Sequence, residues 1–314
     1  MADSLNGKAA VTGIGETAYT RGTDKSALAL MLEASLKAIA DAGLSPKDID
    51  GVIPYSLGPV AEDIMTNLGL EDVRFSAQTP MGGASAVAAL QCAAAMISAG
   101  VAKHVLLALG RRGYSDSRVA TRLAAMPQFR LITEFENPIG AIAPAQLYAP
   151  MARRHMEMYG TTTEQFAEIA IVMRRHALLN DNAIMQKPLT LADHHASRMI
   201  SDPFRLFDCS LESDGATAIV VSAADRAKDT RKPVTILGAA EGHPDSPSTI
   251  TMRPDMTTLG LAKAAPRAFE MAGVKHKDID VAQIYDCFTY TVICEIEDLG
   301  FCKKGEGGAY IEGG

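Results

Sequence analysis

The stretch Met81-Gly82-Gly83-Ala84-Ser85 leads the chain through two glycines into seventeen residues, 86–102, that carry no charge. Adjacent glycines allow a tight turn at low steric cost, and the Ala-rich run behind them favours a helix. The uncharged segment extends back to Phe75, and residues 75–102 are together long enough to span a bilayer. Their bulk is Ala, Gly, Ser and Gln91, which gain little on transfer to hydrocarbon. A buried helix over residues 83–100 of a soluble protein is therefore expected, with no membrane span.

Outward from this helix, two segments match each other. Ala42-Gly43-Leu44-Ser45-Pro46-Lys47-Asp48-Ile49-Asp50 aligns with Ala272-Gly273-Val274-Lys275-His276-Lys277-Asp278-Ile279-Asp280. Each follows an apolar-periodic helix; in the first, Leu28, Met31, Leu32, Leu36 and Ile39 share one face. Gly43 and Gly273 stand where a helix C-cap needs a positive φ. Strands are expected before each helix, at residues 8–15 and 233–238, and after each, at 51–55 and 281–285. Duplication explains this agreement better than chance, and the βαβ order predicts an α/β protein with mainly parallel strands and right-handed crossovers.

The first copy continues through a strand at 104–110 and resumes with a last strand at 218–223. Between them lies a polar insertion rich in Met and Arg, with helical character at 150–159 and 163–179. An insertion of that length is usually a lid or a binding loop. The expected division is therefore 1–110 with 208–232 as one half, 111–207 as an inserted loop domain, and 233–314 as a second half. That second half ends in a glycine-rich tail before any counterpart of the long helix. An incomplete sequence is expected, or else completion of the sheet by another chain.

A chain of 314 residues, 21% charged and 47% hydrophobic, has the composition of a globular protein of two domains or one large duplicated one. Net charge of -7 without a basic run argues against nucleic-acid binding. The five cysteines, Cys92, Cys209, Cys287, Cys294 and Cys302, are odd in number and show no metal-ligand spacing. Reduced thiols in a cytoplasmic protein are expected, with no metal site. The first ten residues lack the apolar core of a signal peptide.

Duplicated βαβ halves, a small-residue helix after Gly82-Gly83-Ala84-Ser85, a long insertion and Tyr285-Asp286-Cys287-Phe288 occur here in the order of the thiolase superfamily, which the chain resembles. Its SCP2-type branch is the most similar. Asp202-Pro203-Phe204-Arg205-Leu206-Phe207-Asp208-Cys209-Ser210 and Asp214-Gly215-Ala216-Thr217-Ala218 are similar to that branch, as are Leu299-Gly300-Phe301-Cys302 and Gly305-Glu306-Gly307. The resemblance covers nearly the whole chain. It implies a duplicated five-layer αβαβα fold, an acyl-CoA thioester ligand, and an insertion forming the loop domain on the coenzyme side. It also implies a homodimer joined through an edge strand, placed at residues 73–77. In an acidic protein the anionic coenzyme would be held by local features.

Thiolases place a nucleophilic cysteine at a helix N-terminus, where the macrodipole lowers its pKa. Here that position is Gly83, and Cys92 lies about two and a half turns deeper, as an inert thiol. The amides at Gly82 and Gly83, with Ser85, are left as an oxyanion or substrate-binding site without a nucleophile. Tyr285 stands where the branch has histidine. It is expected to serve as acid/base or oxyanion donor, with Asp286 beside it as a binding residue; the alternative is a strand-end tyrosine with its ring in the core. Cys287 and Cys209 read as packing residues. Gly242-His243-Pro244 spells the family's histidine motif but precedes the Tyr285 segment, a coincidence of sequence. His194-His195 reads as a solvated surface pair. The remaining family motifs would lie beyond Gly314.

The expected activity is retro-aldol cleavage of a β-hydroxyacyl-CoA, from a steroid or other lipid side chain, without a cofactor beyond the coenzyme A of the substrate. Members of the branch similar in having glycine for cysteine and tyrosine before the Asp-x-Phe motif work with a small OB-fold (DUF35-type) partner. The alternative is a catalytically silent acyl-CoA or lipid-binding scaffold. A degenerate acetyl-CoA acyltransferase using Cys287 is third and fits the geometry poorly.

Overall fold

The computed structural model describes residues 5–124, 126, 129–227, 232–245, 250 and 252–314. In chain order its elements are β1 (Ala9–Glu16), α1 (Ala27–Asp41), β2 (Gly51–Pro54), α2 (Ala61–Leu68), β3 (Phe75–Ser76), α3 (Ser85–Ser98) and β4 (His104–Arg112). Then come α4 (Val119–Ala124), α5 (Pro144–Tyr159), α6 (Thr163–Ala177), α7 (Leu191–Ala196), β5 (Met199–Ser201), β6 (Phe204–Arg205) and β7 (Asp214–Ala223). The last are β8 (Val234–Thr235), α8 (Leu261–Ala272), α9 (Thr289–Leu299) and α10 (Gly307–Ile311). One compact unit comprises Met1–Asp116, Ser213–Ala240 and Ala268–Gly273. A second comprises Ser117–Glu212, Glu241–Arg267 and Val274–Gly314, so residues 233–314 are shared between the two.

The first unit is built on a sheet of order β3-β2-β4-β7-β1-β8. β2 is parallel to β3 and β4, whereas β7 is antiparallel to both β4 and β1. The sheet is mixed, which corrects the expectation of mainly parallel strands. β4 and β7 are the arms of one hairpin, in register from His104↔Ser222 to Arg112↔Asp214, and residues 113–213 are its loop. A strand that re-enters the sheet where its predecessor left must run the opposite way.

Alternation along the strands sends successive side chains to opposite faces. Leu106, Ala108 and Val220 meet Met31, Ala34 and Ile39 of α1 and Ile64 of α2, while Val105, Leu107 and Val221 meet Ala89, Ala93 and Ile97 of α3. α1 opens with Ser26, whose side chain accepts from the Ala29 N–H, and the turn after it closes at Gly43 with φ 69°. The expectation that α3 is buried holds for one side of it. It buries Ser85, Ala89, Ala93, Ala94 and Ile97, while Val87 stays 66% exposed. A charge-free circumference permits burial on every side but does not supply the packing partner.

The second unit is helical, with a core of Leu147, Met151, Phe166, Phe204, Tyr290 and Ile293. β5 and β6 are its one strand pair among the described residues. The strand expected at residues 281–285 does not form, and Val281 is 75% exposed. Sequence pattern can prepare a segment for a ladder, but a ladder also needs a neighbouring edge. The strand expected at 233–238 is likewise reduced to β8. Gly242 of the Gly-His-Pro triplet packs backbone to backbone against Gly260, and His243 bonds to exposed Glu241 at 2.6 Å. Among the described residues no helix is long and apolar enough to cross a membrane.

Candidate active site

The expected site residues fall in different units: Gly82, Gly83 and Ser85 in the first, Tyr285 and Asp286 in the second. In the first unit, Gly82 takes φ 60°, a conformation that favours glycine, and starts a single 3₁₀ turn running into α3. Ser85 is buried. Its hydroxyl accepts from the Met81 N–H at 3.1 Å, and Thr79 Oγ1 donates to the Ser85 carbonyl at 2.9 Å. Ser85, expected among the anion-binding groups, also braces the turn. No side chain caps α3, and its first turn carries no acid, so the positive end of the helix dipole opens beside exposed Gly83. On the same helix, burial pushes the Cys92 thiol up.

In the second unit, residues 285–288 run into the N-terminus of α9. They are pinned by a bridge from Cys209 to Phe288 and by the Ser210 N–H donating to the Cys287 carbonyl at 3.0 Å. The Tyr285 N–H donates to Glu295 Oε2 at 3.1 Å, and Thr291 Oγ1, which donates to the Phe288 carbonyl at 2.6 Å, lies 3.4 Å from the Tyr285 carbonyl. Tyr285 is 48% exposed, so its ring is not a core ring. Burial pushes the Cys287 thiol up to about 11, against hydrogen bonds to the Thr291 and Tyr285 side chains. It is a neutral thiol near pH 7 and a poor nucleophile.

Two carboxyls beside Tyr285 are perturbed. Burial pushes Glu295 up to about 8; the Tyr285 N–H works against this, and Asp286 and Asp298 add to it. Asp286, open to solvent on one side, is raised by burial of the other, its own backbone N–H opposing. Burial also raises the Tyr148 phenol, with Cys287 adding and Arg253 opposing, and the Tyr148 ring lies 5.1 Å from that of Phe288. Burial lowers Arg253, with Tyr148 and Glu136 opposing. Clustered titratable groups shifted by burial and by one another mark a site able to hold and move protons near neutrality. A cavity of about 280 Å³ adjoins Asp286, lined also by Thr289, Phe207, Leu211, Met173 and Arg174.

His194 is not a solvated residue. It is fully buried on α7, with Nε2 2.9 Å from Asp208 Oδ1. Asp208 also accepts from Thr289 Oγ1 at 2.8 Å and from the Arg205 N–H at 2.7 Å, which ties the segment before β7 to the first residue of α9. Sequence reasoning missed Glu295, Tyr148 and Arg253. Only Glu295 carries a signal, an acid between Cys294 and Ile296 on a helix whose neighbours are nearly all buried.

A family described as "Thiolase C-terminal domain-like" matches residues 242–314. A 17-hydroxy-3-oxo-4-pregnene-20-carboxyl-CoA lyase of Mycobacterium tuberculosis is 37% identical, over 99% of this chain and 83% of its own length. A steroid side-chain-cleaving aldolase of Thermomonospora curvata is 36% identical, over 99% and 82%. Among solved structures, an "Ltp2-ChsH2(DUF35) aldolase" superposes with a TM-score of 0.93 at 35% identity, over 99% of this chain and 81% of that one.

Proposed function

The chain belongs to the thiolase superfamily and to its carbon–carbon lyases, not its thiolytic enzymes, and we propose that it cleaves a β-hydroxyacyl-CoA by a retro-aldol reaction. In that reaction the β-hydroxyl gives up its proton and the bond between Cα and Cβ breaks. A ketone or aldehyde leaves, and the electron pair passes to the thioester as an enolate, which is then protonated at Cα. Such chemistry needs a proton carrier and stabilisation of the enolate oxygen, and no cysteine nucleophile.

Tyr285 carries the reading. Its N–H is held by Glu295, the residue is half exposed, and it lies beside two carboxyls of raised pKa and a thiol that stays neutral. It is assigned as acid/base or oxyanion donor, with Asp286 as a substrate-binding neighbour. Gly82 and Gly83, at an uncapped helix N-terminus, are assigned as an anion-binding position. The substrate proposed is a CoA thioester of a steroid or other branched lipid side chain, in line with the names of both relatives. A homodimer and a small DUF35-type partner complete the proposal, the latter in line with the aldolase that superposes on the chain.

The test is Tyr285→Phe, assayed with any DUF35 partner on a panel of β-hydroxyacyl-CoA substrates while release of the ketone or aldehyde is followed. Loss of the hydroxyl should lower kcat by about 10²-fold or more with little change in stability. A Phe variant that cleaves as fast as the wild type refutes the assignment.

A further inference from the structure

We propose that Glu295 is a positioning residue for Tyr285 that works as a neutral acid and switches the enzyme off when it ionises. This rests on the reading that Tyr285 takes part in the chemistry. Thr291 and Glu295 are four apart on α9 and so share one face. That face holds Tyr285 by its backbone N–H, from which Glu295 Oε2 accepts at 3.1 Å, while the Thr291 hydroxyl, donating to the Phe288 carbonyl at 2.6 Å, fixes the following turn and lies 3.4 Å from the Tyr285 carbonyl. The orientation of the tyrosine is thereby set from a helix that also carries the buried core residues Ile293 and Ile296.

Burial first, and then the groups around it, set the charge of Glu295. From the preceding loop it faces Asp286 and the neutral thiol of Cys287, and from α5 the neutral phenol of Tyr148. From its own helix it faces Asp298, whose carboxylate is matched by Lys304 at 2.6 Å. The charged groups acting on it are both acids, so burial and repulsion favour the same protonation state. Neutral Glu295 still accepts the Tyr285 N–H through one oxygen and adds no charge to that of Asp286 beside Tyr285. Ionised, it adds a second charge beside Tyr285, which opposes both phenolate formation and the charge that grows on an enolate oxygen. The alkaline limb of activity should therefore fall near pH 8 and belong to this carboxyl.

The experiment compares kcat from about pH 6 to about pH 10 for wild type, Glu295→Ala and Glu295→Gln, using the full-length protein with any DUF35 partner. Ala removes the acceptor and should cost at least about 10-fold at pH 7, because the tyrosine is no longer aimed. Gln, isosteric with the neutral acid, should recover most of that loss and move the alkaline limb up by about one pH unit or more. A Gln variant that keeps the wild-type limb, or fares no better than Ala at pH 7, overturns the proposal. Infrared titration of the wild type gives a readout independent of variant folding: one protonated-carboxyl band should disappear as the pH rises through about 8. Its absence also overturns the proposal. If Tyr285→Phe proves fully active, the underlying reading has failed. If that variant is inactive while Glu295→Gln keeps the wild-type limb, only the role of Glu295 has failed.

Discussion

Asp208→Asn exchanges one oxygen of a buried carboxylate for an NH₂ group, and its cost can be worked out bond by bond. Asp208 Oδ1 accepts from His194 Nε2 and Thr289 Oγ1, and Oδ2 from the Arg205 N–H, at 2.7 to 2.9 Å. An amide offers one acceptor oxygen. Its NH₂ must face either the Arg205 N–H or the His194 and Thr289 pair, so a donor confronts a donor in either orientation. His194 could relieve one clash by moving its proton to Nδ1, but Nδ1 is buried with no hydrogen-bond partner among the described residues, and the penalty would only change place. A buried donor left unpaired costs about 1–3 kcal/mol, and a hydrogen bond lost from a charged acceptor about 1.5–3 kcal/mol. A loss of roughly 3–4 kcal/mol is expected, or about 10 °C in Tm at some 2–4 °C per kcal/mol. Thr289 is the first residue of α9, so kcat should also fall below the temperature of unfolding. Calorimetry at pH 7 measures the first effect and the cleavage assay the second. A Tm loss under about 3 °C would refute the reasoning.

Two further outcomes are expected. Burial alone would raise Glu297, but hydrogen bonds to His155 Nε2 (3.1 Å) and the Gly307 N–H (2.9 Å) and the charge of Lys304 (3.1 Å) bring it below the usual carboxylate range. Its contribution to stability is thus present above the unfolded value of about 4.5 and is lost as pH falls through the lower folded value. The Tm advantage of wild type over Glu297→Gln should shrink below about pH 4.5, and a gap unchanged from about pH 7 to about pH 3 would count against this. Gly83→Cys places a thiol at the N-terminus of α3, where it should titrate below the ~8.5 of a free thiol. A brief iodoacetamide pulse should label it ahead of Cys287, pushed up to about 11, and Cys209, pushed up to about 12; peptide mapping that finds Cys92 labelled first would disprove it.

What was legible in the sequence was local. α1 follows from its apolar period, its Ser26 cap and Gly43, and the entry to α3 from the paired glycines. What was not legible depends on residues far apart in the chain. The direction of β7 is fixed by where the insertion returns. His194 looks solvated beside His195, until Asp208 receives its imidazole in the interior. Tyr285 is visible because it replaces a family histidine. Glu295 is hidden because its environment is assembled from residues 148, 286, 287 and 298.

The pairing of Arg112 with Asp214 has a consequence for how such a chain diversifies. Paired residues in an antiparallel ladder lie about 5 Å apart, and Asp214 secures the junction by accepting from the N–H groups of Gly22, Tyr114 and Ser115. Residues 117–212 are therefore spliced in through a narrow doorway. A two-residue hairpin turn could reseal it without disturbing the sheet, and domain insertion succeeds best at ends that lie close together. Exchange of the segment alone would strip Tyr290 and Ile293 of Leu147, Met151, Phe166 and Phe204, so the doorway admits a new segment only together with a matching α9.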